Sequence, residues 1–106
     1  MTSFDKGLKI NLYYYHRDMP DTIVHVFKDY INKGDVEGFK TYMTELNAEY
    51  EGLPWDYIFQ KVYVHACLKK NKAIAEFMTE KFNELEPIQQ IAVRQVFSYG
   101  KYLLNK

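Results

Sequence analysis

His65 and Cys67 are the residues whose types best suit covalent chemistry, because a histidine can act as a base toward a cysteine nucleophile. They lie two positions apart in a segment with helical periodicity, so their side chains point about 200° apart around the helix axis. We therefore expect Cys67 to be a small core residue and His65 a structural or partly exposed side chain. The alternative is a small helical enzyme or ligand binder with a pocket lined by His25, Tyr63 and His65.

Metal binding is the second chemistry considered, because His16 and His25 lie close in sequence to Asp18 and Asp29. Neither pair has a recognised ligand spacing. The chain also lacks a glycine-rich phosphate loop and the GxSxG, HExxH and paired-cysteine motifs. We predict no catalytic, cofactor-binding or metal-binding residue, and therefore a protein that is not an enzyme and has no cofactor.

Partner binding is the chemistry that the aromatic residues favour. A run near the N-terminus combines apolar area with polar groups, as residues at interface hot spots do, and comprises Tyr13, Tyr14, Tyr15, His16 and Arg17. Trp55 lies in the predicted loop between two helical units and suits the same role. The alternative is that two of the tyrosines pack on the first helical hairpin and that Trp55 anchors its loop to the core.

Composition narrows the class of protein and of partner. The chain has 106 residues, 47% of them hydrophobic and 17% aromatic, which indicates one globular domain over 1–106. Fourteen basic and fourteen acidic residues balance, and the basic cluster Lys69, Lys70 and Lys72 is small, so we expect no nucleic acid and no membrane partner. The single cysteine and the absence of a signal-peptide pattern favour a soluble, intracellular, cytoplasmic protein.

The elements that position these residues form a repeat. Residues 23–46 and 58–83 each read as a helix with apolar periodicity, a tight basic turn and a second helix. Overlaying Gly34 on Asn71 gives a period of 37 residues, and both residues suit the left-handed conformation that ends a helix. Asp21 should cap a first helix that begins near Thr22, and Asp35 should cap the second. Each pair must fold back antiparallel because its connection is so short.

The remaining segments close this array. Residues 47–54 should form the loop between the units, and the third helix has almost no polar face, so other helices should surround it. A last helix should begin at Pro87, and Gly100 should end, kink or weaken it. Its predicted buried stripe comprises Ile88, Ile91, Ala92, Val96, Tyr99 and Leu103. Residues 1–20 fit both strand and helix periodicity, and we favour a helix that caps the array.

These hairpins resemble the ankyrin-type repeat. Lys33-Gly34-Asp35 in the first unit, and His65-Ala66-Cys67 with Lys70-Asn71-Lys72 in the second, carry the likeness over residues 22–85. The chain lacks the Thr-Pro-Leu-His start of that repeat, so it looks like a degenerate array of the kind found in large DNA viruses. The alternative is an independent helical-hairpin repeat. The resemblance implies a protein that binds other proteins without catalysis.

We therefore predict an all-α protein of five or six helices, built as two stacked antiparallel hairpins over residues 21–47 and 54–85. A cap segment at 1–20 precedes them and a capping helix at 87–104 closes them. The expected function is protein–protein interaction, as an adaptor or inhibitor that binds a cellular protein. The alternative is a structural subunit of a homo-oligomer or virion.

Overall fold

Five α-helices make up the part of the chain that the structure describes, and the all-α class is as predicted. The structure is a computed structural model that describes residues 19–106, and the N-terminal cap predicted at 1–20 lies almost wholly outside them. The helices are α1 (Met19–Lys33), α2 (Val36–Glu49), α3 (Trp55–Leu68), α4 (Lys72–Phe82) and α5 (Pro87–Asn105). Within this part of the chain, no helix has both the length and the apolar character needed to cross a membrane.

Helix α3 lies at the centre of the fold. It packs against α1, α4 and, most extensively, α5, while α1 also packs on α2 and α2 on α4. The prediction that other helices surround α3 is confirmed, because its nearly continuous apolar surface can be buried only with neighbours on several sides. The α3 residues in the core are Ile58, Phe59, Val62, Tyr63, Ala66 and Cys67.

The two hairpin turns have the same backbone geometry. In the first, Gly34 has a φ of 70°, its N–H donates to Ile31 O, and Asp35 N–H donates to Tyr30 O. In the second, Lys70 has a φ of 60° and its N–H donates to Cys67 O. Asn71 N–H donates to Ala66 O, which completes the same pair of bonds. Both turns are therefore Schellman motifs.

This geometry corrects the predicted register of the repeat. Asn71 is not the left-handed residue, because its side chain accepts a hydrogen bond from Ile74 N–H and caps α4. Asp35 does the same for α2 by accepting from Gly38 N–H. Asp35 therefore aligns with Asn71, and Gly34 with Lys70, so the turns repeat after 36 residues rather than 37.

Two predicted boundaries shift by a few residues. Helix α1 begins at Met19 instead of near Thr22. Pro20 is tolerated in its first turn, because the backbone N–H groups of that turn have no partner within the helix and the loss of one costs nothing. Asp21 then lies within that turn, where its carboxylate accepts the hydroxyl hydrogen bond of Tyr57. Helix α2 continues to Glu49, into the predicted loop, whereas α3 begins at Trp55, directly after that loop, as predicted.

The start of α5 is as predicted, but its predicted buried stripe is wrong. Glu86 and Gln89 form a reciprocal capping box, and Pro87 is the first helical residue. The buried residues are Val93, Phe97, Gly100 and Leu103, whereas Ile88, Ile91 and Tyr99 are exposed. Leu103 alone belongs to both sets.

Aromatic packing explains which face of α5 is buried. The Phe97 ring stacks on Tyr63 of α3, with centroids 4.1 Å apart and planes inclined by 7°. Its centroid also lies 4.6 Å from that of Phe82, which ends α4. One face of α5 thus brings a large ring into a cluster from two other helices, an arrangement that favours its burial over that of the aliphatic stripe.

Gly100 does not end α5, because the helix continues through it to Asn105. A Cβ atom at this position would lie 2.2 Å from Tyr63 Cε2 and 2.8 Å from Cys67 Sγ. Glycine is therefore what lets α5 approach α3 so closely at this point.

Candidate functional site

A groove lies at the end of the array opposite the two Schellman turns, where α2 leads to α3 and α4 leads to α5. Its volume is about 460 Å³, within the range of ligand and peptide pockets. Among the described residues, its apolar and aromatic lining comprises Met43, Tyr50, Leu53, Trp55, Phe59 and Leu85. Its polar lining comprises Thr44, Asn47, Glu51, Lys81, Glu84, Glu86 and Gln89, with Gly52 in the wall.

Trp55 is the predicted partner-binding residue that the structure places in this groove. It is half-buried as the first residue of α3, and its ring meets that of Phe59 edge to face at 6.2 Å. Part of the indole thus packs on the core while part remains accessible. Both predicted roles, anchoring and contact with a partner, are compatible with this position. The other predicted partner-binding residues, Tyr13, Tyr14, Tyr15, His16 and Arg17, lie outside the described residues.

The segment between α2 and α3 shapes one wall of the groove. Tyr50 is extended and ends α2. Gly52 has a φ of 77°, which lets the chain turn where an L-residue would be strained. Leu53 is then buried in the core. Because Leu53 anchors this segment, Tyr50 and Glu51 are held beside Trp55.

The segment between α4 and α5 shapes the opposite wall. The Gln90 amide donates hydrogen bonds to Leu85 O at 3.0 Å and to Asn83 O at 3.4 Å. The capping box joins Glu86 to Gln89. These bonds fix the backbone of the segment that carries Glu84 and Glu86.

The groove is acidic, although the chain as a whole has a formal net charge of zero. Three glutamates and one lysine line it, which gives a formal charge of −2. Lys81 is already engaged, because its Nζ lies 3.4 Å from Glu84 Oε2 and 5.5 Å from the centroid of the Phe77 ring. An acidic, aromatic groove of this kind favours an occupant that carries apolar and basic groups.

His65 and Cys67, the candidate base and nucleophile, contact different residues. The Nε2 atom of His65 lies 2.8 Å from Asn32 Oδ1 of α1. Cys67 is fully buried beside Tyr63 and Gly100. Burial raises the pKa of the Cys67 thiol, which disfavours the nucleophilic thiolate. Burial, with the neighbouring Cys67, also raises the pKa of Tyr63 to about 12.

The alternative pocket of His25, Tyr63 and His65 does not form. His25 is exposed on α1, where its Nε2 lies 3.8 Å from Asp29 Oδ2, whereas Tyr63 is sealed in the core against Phe97. None of the three lines the groove. Over residues 19–106, no three histidine, cysteine or acidic side chains are placed to hold a metal ion.

Sequence reasoning found Trp55 but missed the acidic residues around it. Glu51 comes from one connecting segment, and Glu84 and Glu86 come from the other, more than thirty positions later in the chain. The available signal was that both segments connect one predicted hairpin to the next element, which places them at the same end of a stacked array.

Comparisons with protein-family profiles, with curated proteins and with solved structures find no match to this chain. The resemblance to ankyrin-type repeats over residues 22–85 therefore stays a prediction.

Proposed function

We propose that this protein is a non-enzymatic interaction module, an adaptor or inhibitor whose groove docks a segment of another protein. The observation that carries this proposal is the half-buried Trp55 in an acidic, aromatic groove of about 460 Å³. Tryptophan is one of the residues enriched among the hot spots that anchor a partner. We also propose an ankyrin-like ancestry, a viral origin and a cytoplasmic location. All three agree with such a role.

The chemistry of the groove specifies the segment it would accept. Trp55 and Leu85 offer an apolar floor for one or two aliphatic or aromatic side chains. Glu51 and Glu86 on opposite walls favour lysine or arginine flanking that anchor. We therefore propose a peptide segment with an apolar anchor and adjacent basic residues.

A structural role in a homo-oligomer, such as a virion component, is the second candidate. The observation that favours it is the exposed apolar face of α5, where Ile88 and Ile91 remain 77% and 68% accessible. Neither Ile88 nor Ile91 lines the groove.

Selection from a random peptide library displayed on phage tests the groove. We expect the wild-type protein to enrich peptides that combine an aromatic or aliphatic anchor with lysine or arginine. Glu51→Lys reverses a charge at an exposed position in the groove and should weaken binding of a selected peptide about tenfold, because it replaces an attraction by a repulsion. Fluorescence anisotropy with the labelled peptide measures this change.

The matched control is Glu45→Lys, which makes the same charge change at an exposed position of α2 outside the groove. It should bind the peptide like the wild type. Trp55→Ala should abolish binding, and Trp55→Phe, which keeps the packing on Phe59, should retain part of it. The proposal is wrong if the selection enriches no basic-apolar pattern, or if Glu51→Lys and Glu45→Lys bind equally well.

A further inference from the structure

Helix α5 presents an apolar stripe to solvent, which we name the outer stripe and define as Ile88, Ile91, Gln95, Tyr99 and Tyr102. The successive spacings of three, four, four and three residues place all five within about 80° around the helix axis. The four large side chains are 77%, 68%, 53% and 61% accessible in chain order. Monomeric proteins rarely leave so many large apolar groups together on one helix.

The spacing of this stripe is symmetric about Gln95. Ile91 and Tyr99 each lie four positions from it, and Ile88 and Tyr102 each lie seven positions from it. When two such helices pack antiparallel about a two-fold axis at Gln95, every isoleucine of one copy faces a tyrosine of the other. This self-complementarity is what an isologous interface requires.

Electrostatics favours the same arrangement. Glu84 and Glu86 lie at the N-terminal end of α5, and Lys106 lies at its C-terminal end. Antiparallel packing brings the acids of one copy toward the lysine of the other and opposes the two helix dipoles. A parallel pair would place acid against acid and lysine against lysine, and would leave isoleucine facing isoleucine.

The repeat register supplies a third argument. Lys106 N–H donates to Leu103 O, as Lys70 N–H does to Cys67 O and Gly34 N–H does to Ile31 O, so the 36-residue register reaches α5. In that register Tyr99 corresponds to Tyr63 and Phe27, which are both buried under neighbouring helices. Tyr99 of α5 is therefore exposed at the repeat position whose aromatic residues in α1 and α3 are buried.

We propose that a second copy of this chain covers the outer stripe and forms a two-fold symmetric dimer through antiparallel α5 helices. The stripe offers roughly 600 Å² on each copy, so a pair would bury about 1,200 Å², at the lower end for a specific interface. The dimer continues the row of helices as α1, α3, α5 and then the partner's three in reverse order.

Light scattering coupled to size-exclusion chromatography tests the proposal, from roughly micromolar to millimolar protein. The mass should rise from 12.7 kDa toward twice that value. Ile91→Glu should keep the protein monomeric over the whole range, because it puts two charges into the apolar contact. Its fold should persist, since Ile91 is exposed, and circular dichroism checks this.

The matched control is Leu68→Glu, which makes the same kind of change at an exposed leucine of α3, where 56% of the side chain is accessible. It should dimerise like the wild type. A constant monomer mass for the wild type would overturn the proposal, since the stripe would then await a different partner. A dimer that survives Ile91→Glu would also overturn it.

Disulfide trapping tests the symmetry itself. Gln95→Cys places a thiol on the proposed two-fold axis, where it meets its own copy, so oxidation should yield a covalent dimer. Cys67 is buried and should not interfere. Glu45→Cys on the exposed surface of α2 is the control and should remain uncrosslinked. Equal crosslinking of the two variants, or none in either, contradicts an axis at Gln95.

Discussion

At the residue scale, the two Schellman turns reach the same geometry with different residues. Gly34 was predictable as the left-handed residue of the first turn, since glycine adopts that conformation without strain. In the second turn, asparagine suits two adjacent positions, the left-handed one and the helix cap. Asn71 takes the cap, so Lys70 adopts a φ of 60°. Propensity alone does not decide between two roles that suit the same side chain.

Removal of either cap should destabilise the fold. Asp35→Ala and Asn71→Ala each leave an N–H at the start of a helix without its side-chain acceptor, at Gly38 and Ile74 respectively. We expect each to lower the free energy of unfolding by about 1 kcal/mol, as measured by urea denaturation. Asp35→Asn keeps an acceptor and should cost much less. An alanine variant as stable as the wild type would show that its cap does not contribute.

His65 should make stability depend on pH. Its pKa is lowered from 6.5, chiefly by burial and further by Lys28 and Lys69. As the pH falls below about 6.5, the unfolded chain therefore binds a proton before the folded chain does, and stability decreases. Urea unfolding at a series of pH values from 7.5 to roughly 5.5 measures this slope.

The variant His65→Gln removes the titrating group and should flatten that slope while it keeps a donor for Asn32. His25→Gln changes an exposed histidine of α1 in the same way and serves as the control, in which the slope should persist. If the slope is unchanged in His65→Gln, another group is responsible for it.

At the scale of elements, α5 shows the limit of reading one helix at a time. Its sequence carries apolar residues on two faces, one with Ile88, Ile91 and Tyr99 and the other with Val93 and Phe97. Periodicity finds either stripe equally well. The choice depends on the aromatic rings of α3 and α4, which belong to other elements, and on the close approach to α3 that Gly100 allows. The helix was predictable, but its buried face was not.

Gly100→Ala tests how closely α5 packs on α3. In an exposed helix this change would stabilise by up to about 1 kcal/mol. Here the added Cβ would overlap the Tyr63 ring and Cys67 Sγ, so we expect a loss of roughly 1–3 kcal/mol from overpacking. Thermal unfolding followed by circular dichroism measures the change. Ser98→Ala, exposed on the same helix, should be neutral or slightly stabilising, and a Gly100→Ala variant that behaves like it would contradict the close contact.

At the scale of the whole molecule, the all-α class and the five helices of residues 19–106 were predictable because each segment carries its own periodicity and turn residues. The groove was not, since Trp55 acquires its acidic neighbours only where two connecting segments more than thirty positions apart in the chain come together. A single sequence shows which residues are unusual. It does not show which of these residues lie together in the folded protein.

The main packing contacts join helices that are one or two apart along the chain. Short chain segments therefore close each contact, which lowers the entropic barrier and favours rapid folding in the order of synthesis. Helix α3 nevertheless emerges from the ribosome before α5, the helix that covers it most extensively. A nascent chain is consequently most exposed to aggregation in that interval, when its most apolar helix has been made and its principal cover has not.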